Sequence, residues 1–142
     1  MGSFVDDIEA FIAKAEKRAM AVFHGAAQDV AEQVIRPVNE GGHMRIDTGF
    51  LRGSFMGSLE SMPSINPNAR PPSDAAKNSF PSNADQINLV IAGAGWNDTI
   101  YMGFTASYAR PREFKDGFVR LAAQNWDHIV YDNVLKAMKA YP

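Results

Sequence analysis

Ile46-Asp47-Thr48-Gly49-Phe50-Leu51-Arg52-Gly53-Ser54-Phe55 is the stretch on which the reading of this chain turns. Asp, Thr and Ser carry short side-chain oxygens that accept bonds from nearby backbone N–H groups, so they cap and turn a chain. Gly49 and Gly53 reach backbone angles that other residues resist. The stretch is therefore predicted to be a tight, self-bonded corner, with a short helical turn over 50–52, that takes the chain from helix into sheet. Asp47, Thr48, Gly49 and Ser54 would fix the corner, and Leu51 would anchor it to the core. Arg52 would either face a neighbouring molecule or pair with an acidic residue of its own chain.

Upstream of the corner, Phe4, Ile8, Phe11, Ile12, Ala15, Ala19, Val22, Ala26, Val30 and Val34 recur at steps of three and four. That spacing predicts one apolar face of a helix over 4–35. Ser3 and Asp6 suggest its N-cap. Arg36 precedes Pro37, which disfavours helix at that point. At 1.5 Å per residue the helix would be about 45 Å long, more than a small domain is wide. Part of its stripe should project and require a partner. Gly25, in mid-pattern, argues against a single uninterrupted rod. Residues 39–43, Asn-Glu-Gly-Gly-His, read as a flexible connection.

Downstream, residues 55–62 read as a strand with Phe55, Gly57 and Leu59 on one side. Five of the eight prolines then fall within the polar stretch 63–86. A loop of that length is either a mobile insertion or an arm that orders against another subunit. Ile87, Leu89 and Ile91 alternate as in a half-buried strand, as do Ile100, Met102 and Phe104. Gly93, Gly95, Asn97 and Asp98 between them suggest a hairpin. Asp116-Gly117 opens a last helix whose stripe is Phe118, Leu121, Ala122, Trp126, Ile129, Val130, Val134, Met138 and Tyr141, with Asp132 and Lys136 paired on the wet side. The expected class is α+β: one domain over 1–142, with a long N-terminal helix and a C-terminal helix packed on a three- to four-stranded antiparallel sheet.

The chain has 142 residues, 46% hydrophobic and 21% charged, with a formal net charge of −2 and no cysteine. That composition is ordinary for a globular protein, excludes disulfide and thiol chemistry, and offers no global attraction to nucleic acid. The N-terminus has no positive region followed by an apolar one, so no secretory signal is expected, and no apolar run is long enough to span a membrane. His24, His43 and His128 lie on separate segments without metal-ligand spacing, so no metal or other cofactor is expected. There is no P-loop and no G-x-S-x-G elbow. Gly93-Ala94-Gly95 is followed by a strand-like run rather than the helix N-terminus a dinucleotide needs. No catalytic residue is assigned. Arg110, Arg112, Lys115 and Arg120 are interleaved with Tyr108, Phe114 and Phe118, a mixture able to hold a phosphate backbone or stacked bases. The plainer reading is that Phe114 and Phe118 pack in the core while the cations form salt bridges at a subunit border, since Glu113 and Asp116 in the same run halve the field.

The D-T-G-x-L-R-x-S spacing at 47–54 resembles the tail-completion, or neck, proteins that join head to tail in long-tailed bacteriophages and gene transfer agents. Tyr108-Ala109, Glu113 and Gly117-Phe118-Val119-Arg120-Leu121-Ala122 resemble that family's passage into its last helix. With the long first helix, the likeness covers most of the chain. Extra residues at 39–45 and the long loop at 62–86 depart from the family pattern. The resemblance implies a structural virion protein without enzymatic activity, assembled in the bacterial host cytoplasm. It further implies a homohexameric ring between a portal-side connector or stopper protein and a tail-tube or tail-terminator protein. DNA would pass through the ring without sequence-specific contact, and no membrane is involved. Arg70, Lys77, Arg110 and Arg112, together with the loop, are the interface candidates. The alternatives are a nucleic-acid-binding module using 108–120 and a small hydrolase.

Overall fold

The computed structural model describes residues 2–142. Helix α1 spans Ser3–Ile35. Gly2 rather than Ser3 occupies its N-cap, and the first bond runs from the Asp6 N–H to the Gly2 carbonyl at 2.7 Å. The helix ends at Arg36, whose backbone is extended ahead of Pro37. It passes through Gly25 without a break. The reason lies across the interface: a Cβ at Gly25 would occupy the space of the Asn133 side-chain amide. Asn133 is buried, and its Nδ2 donates to Asp29 Oδ2 and to the Ile129 carbonyl, both at 2.8 Å. A glycine is thus placed where a second helix must come close.

The expected flexible connection is instead a closed turn. A 3-10 turn over Val38–Glu40 leads to Gly41, at φ +87. The Gly42 N–H bonds to the Pro37 carbonyl at 2.9 Å, the Val38 N–H donates to the Met44 carbonyl at 3.0 Å, and the Met44 N–H donates to the Arg36 carbonyl at 3.2 Å, which makes a parallel bridge between Pro37 and Met44. Met44 is fully buried beneath it. Burial of that one side chain anchors a Gly-Gly segment, flexible by composition, to the core as a mostly exposed but closed turn.

After the short helix α2 (Phe50–Gly53), strand β1 (Phe55–Ser58) pairs antiparallel with β2 (Tyr101–Phe104), Phe55 opposite Phe104 and Ser58 opposite Tyr101. β1 stops short of the expected Met62 because Ser58 Oγ accepts the Glu60 N–H at 3.1 Å and turns the chain. The sheet has two strands among the described residues, not three or four. The expected strand at 87–91 is helix α3, Ala84–Ala92. Ile87 and Ile91, one helical turn apart, are buried, while Leu89 is 76% exposed. Over so short a run the apolar residues satisfy both periods, and packing against α1 and β1 selects the helical one.

One side chain takes the place of the missing strand. Gln86 accepts the Gly57 N–H through Oε1 at 3.0 Å and donates Nε2 to the Gly57 carbonyl at 2.8 Å. The amide reproduces the paired bonds of a neighbouring strand on the free edge of β1. Gln86→Leu is expected to destabilise the chain by about 1–3 kcal/mol, because the buried Gly57 groups lose both partners. Urea unfolding measures it, together with faster amide exchange at Gly57. An unchanged midpoint would show that water replaces the amide.

The expected single C-terminal helix from Asp116-Gly117 is two, and a further helix precedes it. Helix α4 (Ala109–Asp116) carries Pro111 in its first turn, where the missing N–H costs nothing. Gly117, at φ +67, ends it, and α5 (Phe118–Gln124) and α6 (Trp126–Ala140) follow. The face of α6 that is buried is Ile129, Asn133 and Ala137, whereas Trp126, Val134 and Met138 of the expected stripe are exposed. The polar Asn133 masks the true face in the sequence. Lys136 reaches Asp29 of α1 at 3.9 Å, and Asp132 faces His128 at 3.4 Å, so the expected Asp132–Lys136 pair does not form. Phe55, Phe104 and Phe118 form the centre of the core, with ring centroids 4.6 and 5.1 Å apart. The architecture is α+β, with the long α1 and the C-terminal helices around a small antiparallel ribbon.

Candidate functional site: a clamped corner and two uncovered apolar surfaces

The corner is built from its own backbone. Gly49 adopts φ +87 and leads into α2. Thr48 Oγ1 accepts the Phe50 N–H at 3.1 Å. The Gly53 N–H reaches the Gly49 carbonyl at 2.8 Å, and Ser54 Oγ donates to the Leu51 carbonyl at 2.7 Å. Leu51 is buried in the core cluster. Asp47 contributes its backbone carbonyl, which accepts the Asn78 N–H at 2.6 Å. The in-chain partner of Arg52 is an amide rather than an acid: its Nη2 donates to Asn78 Oδ1 at 3.2 Å, while its buried Nε has no hydrogen-bond partner. Tyr108 stacks on Phe50 with centroids 6.5 Å apart. Burial pushes its phenol above the ordinary tyrosine range, a backbone bond to Leu51 pulls the other way, and the Asp47 charge adds to the rise. Tyr108 is therefore held as the neutral phenol at neutral pH, a wall of the corner.

The long loop is strapped across this corner. The Phe80 N–H bonds to the Thr48 carbonyl at 2.9 Å, and the Phe80 ring meets Phe50 edge-on at 5.2 Å. Nearer its start, the Asn66 N–H bonds to the Thr105 carbonyl at 2.9 Å, and the Ser107 N–H to Ala69 at 2.8 Å. Ile65 packs on the core. The segment is thus tied to its own chain at both ends, and it closes at Asn83, where α3 begins, rather than at 86. Arg70 and Lys77 lie on its exposed side, with Arg70 Nη2 donating to the Pro67 carbonyl at 3.0 Å.

Of the four cations in the basic run, Arg112 is paired locally. Arg112 grips Asp116 at 2.6 Å, and Arg45 approaches the same carboxylate at 3.7 Å. Glu113 accepts the Val119 and Arg120 N–H groups at 2.8 and 3.0 Å, capping α5 from the preceding helix. Arg110, Lys115 and Arg120 remain exposed. Phe118 is buried as expected, but Phe114 is 88% exposed and packs in no core. The histidines stay apart: His24 Nε2 lies 2.8 Å from the Ala94 carbonyl, His43 is exposed, and His128 faces Asp132. Among the described residues no group of three or more His, Cys, Asp or Glu side chains is gathered as a metal site. No helix of the described residues is long and apolar enough to cross a membrane.

Two apolar surfaces are left in water. The first is the N-terminal end of α1. Helix α6 lies along α1 and draws level with Lys14, where Lys14 Nζ reaches the Pro142 carbonyl and Arg18 Nε the Tyr141 carbonyl, at 2.9 and 2.7 Å. Every residue from 2 to 17 is exposed, including Phe4 at 73% and Phe11 at 70%. Phe4, Val5, Ile8, Phe11 and Ile12 form one stripe, and burying the part of each still in water would contribute about 1–2 kcal/mol. The second is an open groove of about 610 Å³ beside the other end of α1, lined by Val30, Val34, Met62, Ile65, Met102 and Val119, with Arg110 also on its wall. Periodicity made the first surface visible in the sequence. The second could not be read there, because its walls come from α1, the loop, β2, α4 and α5.

Comparison with protein-family models, with curated proteins and with solved structures gave no match. The molecule is defined by its own geometry: an α+β domain with a strapped corner, a projecting helix and an apolar groove.

Proposed function

We propose that the chain is a structural component of a virus head–tail junction, a neck or tail-completion subunit that assembles as a ring, six-fold on the resemblance, through which DNA passes. The observation that carries this reading is the apolar end of α1. A helix that keeps five large apolar side chains in water gains by associating, and an adhesive surface is what a ring subunit needs. The corner motif and the passage into α5, which carry the family resemblance, support the same reading. So does the near-neutral charge, since a lumen that passes DNA without reading it requires no strong positive field. The neighbours would be a portal-side connector or stopper and a tail-tube or tail-terminator protein.

A reconstruction of native particles by electron microscopy tests the reading. A ring of this chain between head and tail is expected, with the gene lying among portal, capsid and tail genes. Particles without the chain, or a gene embedded in a metabolic operon, would count decisively against it.

A further inference from the structure

We infer that the apolar end of α1 from one copy docks into the groove between α1, β2 and α5 of the next copy, head to tail. The inference rests on the ring reading above and names the faces that would make the ring. The stripe presents Phe4, Ile8 and Phe11 at helical spacing, the pattern by which an amphipathic helix lies in an apolar groove. The groove offers Val30, Met62, Met102 and Val119 to receive them.

The two surfaces cannot meet within one copy. Ile8 and Val30 lie on the same unbroken helix, about 33 Å apart at 1.5 Å per residue. Neither can therefore cover the other within one copy, and covering the stripe of one copy with the groove of the next leaves a free stripe at one end and a free groove at the other. Such an interface is heterologous and closes into a ring when the rotation per copy divides the circle.

Charge favours this pairing over two stripes zipped together. At 100° per residue, Asp7 and Glu9 flank the stripe on either side, and Asp6 lies in the same turn. Two such helix ends side by side would oppose acid to acid. The groove instead carries exposed Arg110, with exposed Arg120 next to Val119 in α5. Glu113, the acid on the groove wall, is already engaged with the N–H groups of Val119 and Arg120. Acidic flanks thus meet a basic rim, which sets the register and suppresses the like-with-like contact.

Sedimentation and light scattering of the full chain, from micromolar concentration to about 1 mM, test the pairing. The stripe variant I8E/F11E and the groove variant M62E/A123E, Ala123 of α5 also lining the groove, alter exposed side chains, and circular dichroism and melting confirm that each is folded. Each is expected to weaken self-association about 100-fold or more. Mixed together they are expected to form one-to-one pairs and nothing larger, since one retains the groove and the other the stripe. R110E is expected to weaken assembly about 10-fold, and D7K/E9K to restore it in that background. Groove variants that assemble like the wild type would overturn this pairing and leave the ring standing on other faces. Mixed variants that fail to pair would do the same. A wild-type chain that remains monomeric throughout the range would overturn both the pairing and self-assembly as its basis.

Discussion

Gly49→Ala is expected to destabilise the chain by about 3–5 kcal/mol, while Gly41→Ala costs about 1–2 kcal/mol. Both glycines sit at φ +87, so both substitutions force an L-residue into the left-handed region at the same conformational cost. They differ in what a Cβ meets. Nothing lies within 4 Å of one at Gly41, whereas at Gly49 it would collide with the Phe80 backbone carbonyl. That carbonyl cannot retreat freely. The neighbouring Phe80 N–H is bonded to Thr48 at 2.9 Å, and the ring is held against Phe50. Alanine at 49 must therefore lift the loop off the corner or distort α2. Urea unfolding of the two variants measures the difference directly. Equal losses would show that backbone strain alone makes position 49 a glycine, and that the strap across it contributes nothing. Faster proteolysis within 63–83 in the Gly49 variant is the accompanying sign that the strap has been released.

Gly25→Ala carries the second large effect, and its sign runs against helix propensity. In an exposed helix interior, alanine for glycine stabilises by about 1 kcal/mol. Here the new methyl enters the space of the Asn133 amide, which is buried and bonded to Asp29 and Ile129. Overpacking costs about 1–3 kcal/mol and a displaced amide forfeits about 1–3 kcal/mol more, so after the propensity gain a net loss of about 1–5 kcal/mol is expected. Asn133→Ala in the same chain removes the obstacle. The double variant should then be more stable than the two separate losses imply, by a coupling of about 1–2 kcal/mol. A stabilised Gly25→Ala would mean that α6 lies further from α1 than the structure has it. The projecting end of α1 would be unaffected in any of these variants, so self-association separates the packing role of Gly25 from the assembly role of the stripe.

The errors in reading the sequence have a common cause. Ile87, Leu89 and Ile91 were spaced for a strand, yet Ile87, Val90, Ile91 and Ala94 are equally spaced for a helix. Nine residues are too few to separate the two periods. Asn133 broke the apolar pattern of α6, and the expected stripe slid onto Trp126, Val134 and Met138, which are exposed. Gln86 gave no sign that a side-chain amide would complete the edge of β1. Residues 39–43 were flexible by composition, but the neighbouring Met44 is fully buried, and that burial orders the turn. In each case the deciding contact is made with residues remote in sequence, for Met44 the core that buries it, and local pattern carries no information about it.

What the sequence determined by itself is what short-range rules govern. A long unbroken apolar period produced α1, and Pro37 ended it. Thr48, Gly49 and Ser54 produced the corner, because their bonds span two to four residues and need nothing from the rest of the chain. The excess length of α1 over its neighbours was likewise implicit in counting residues. Tertiary structure alone decided that the sheet is a ribbon, that the proline-rich loop is a strap, that Phe114 is exposed, and that α1, the loop, β2 and α5 leave a groove between them. The physical reason is that such features depend on which distant surfaces exclude water together, a property of the closed chain and not of any segment within it.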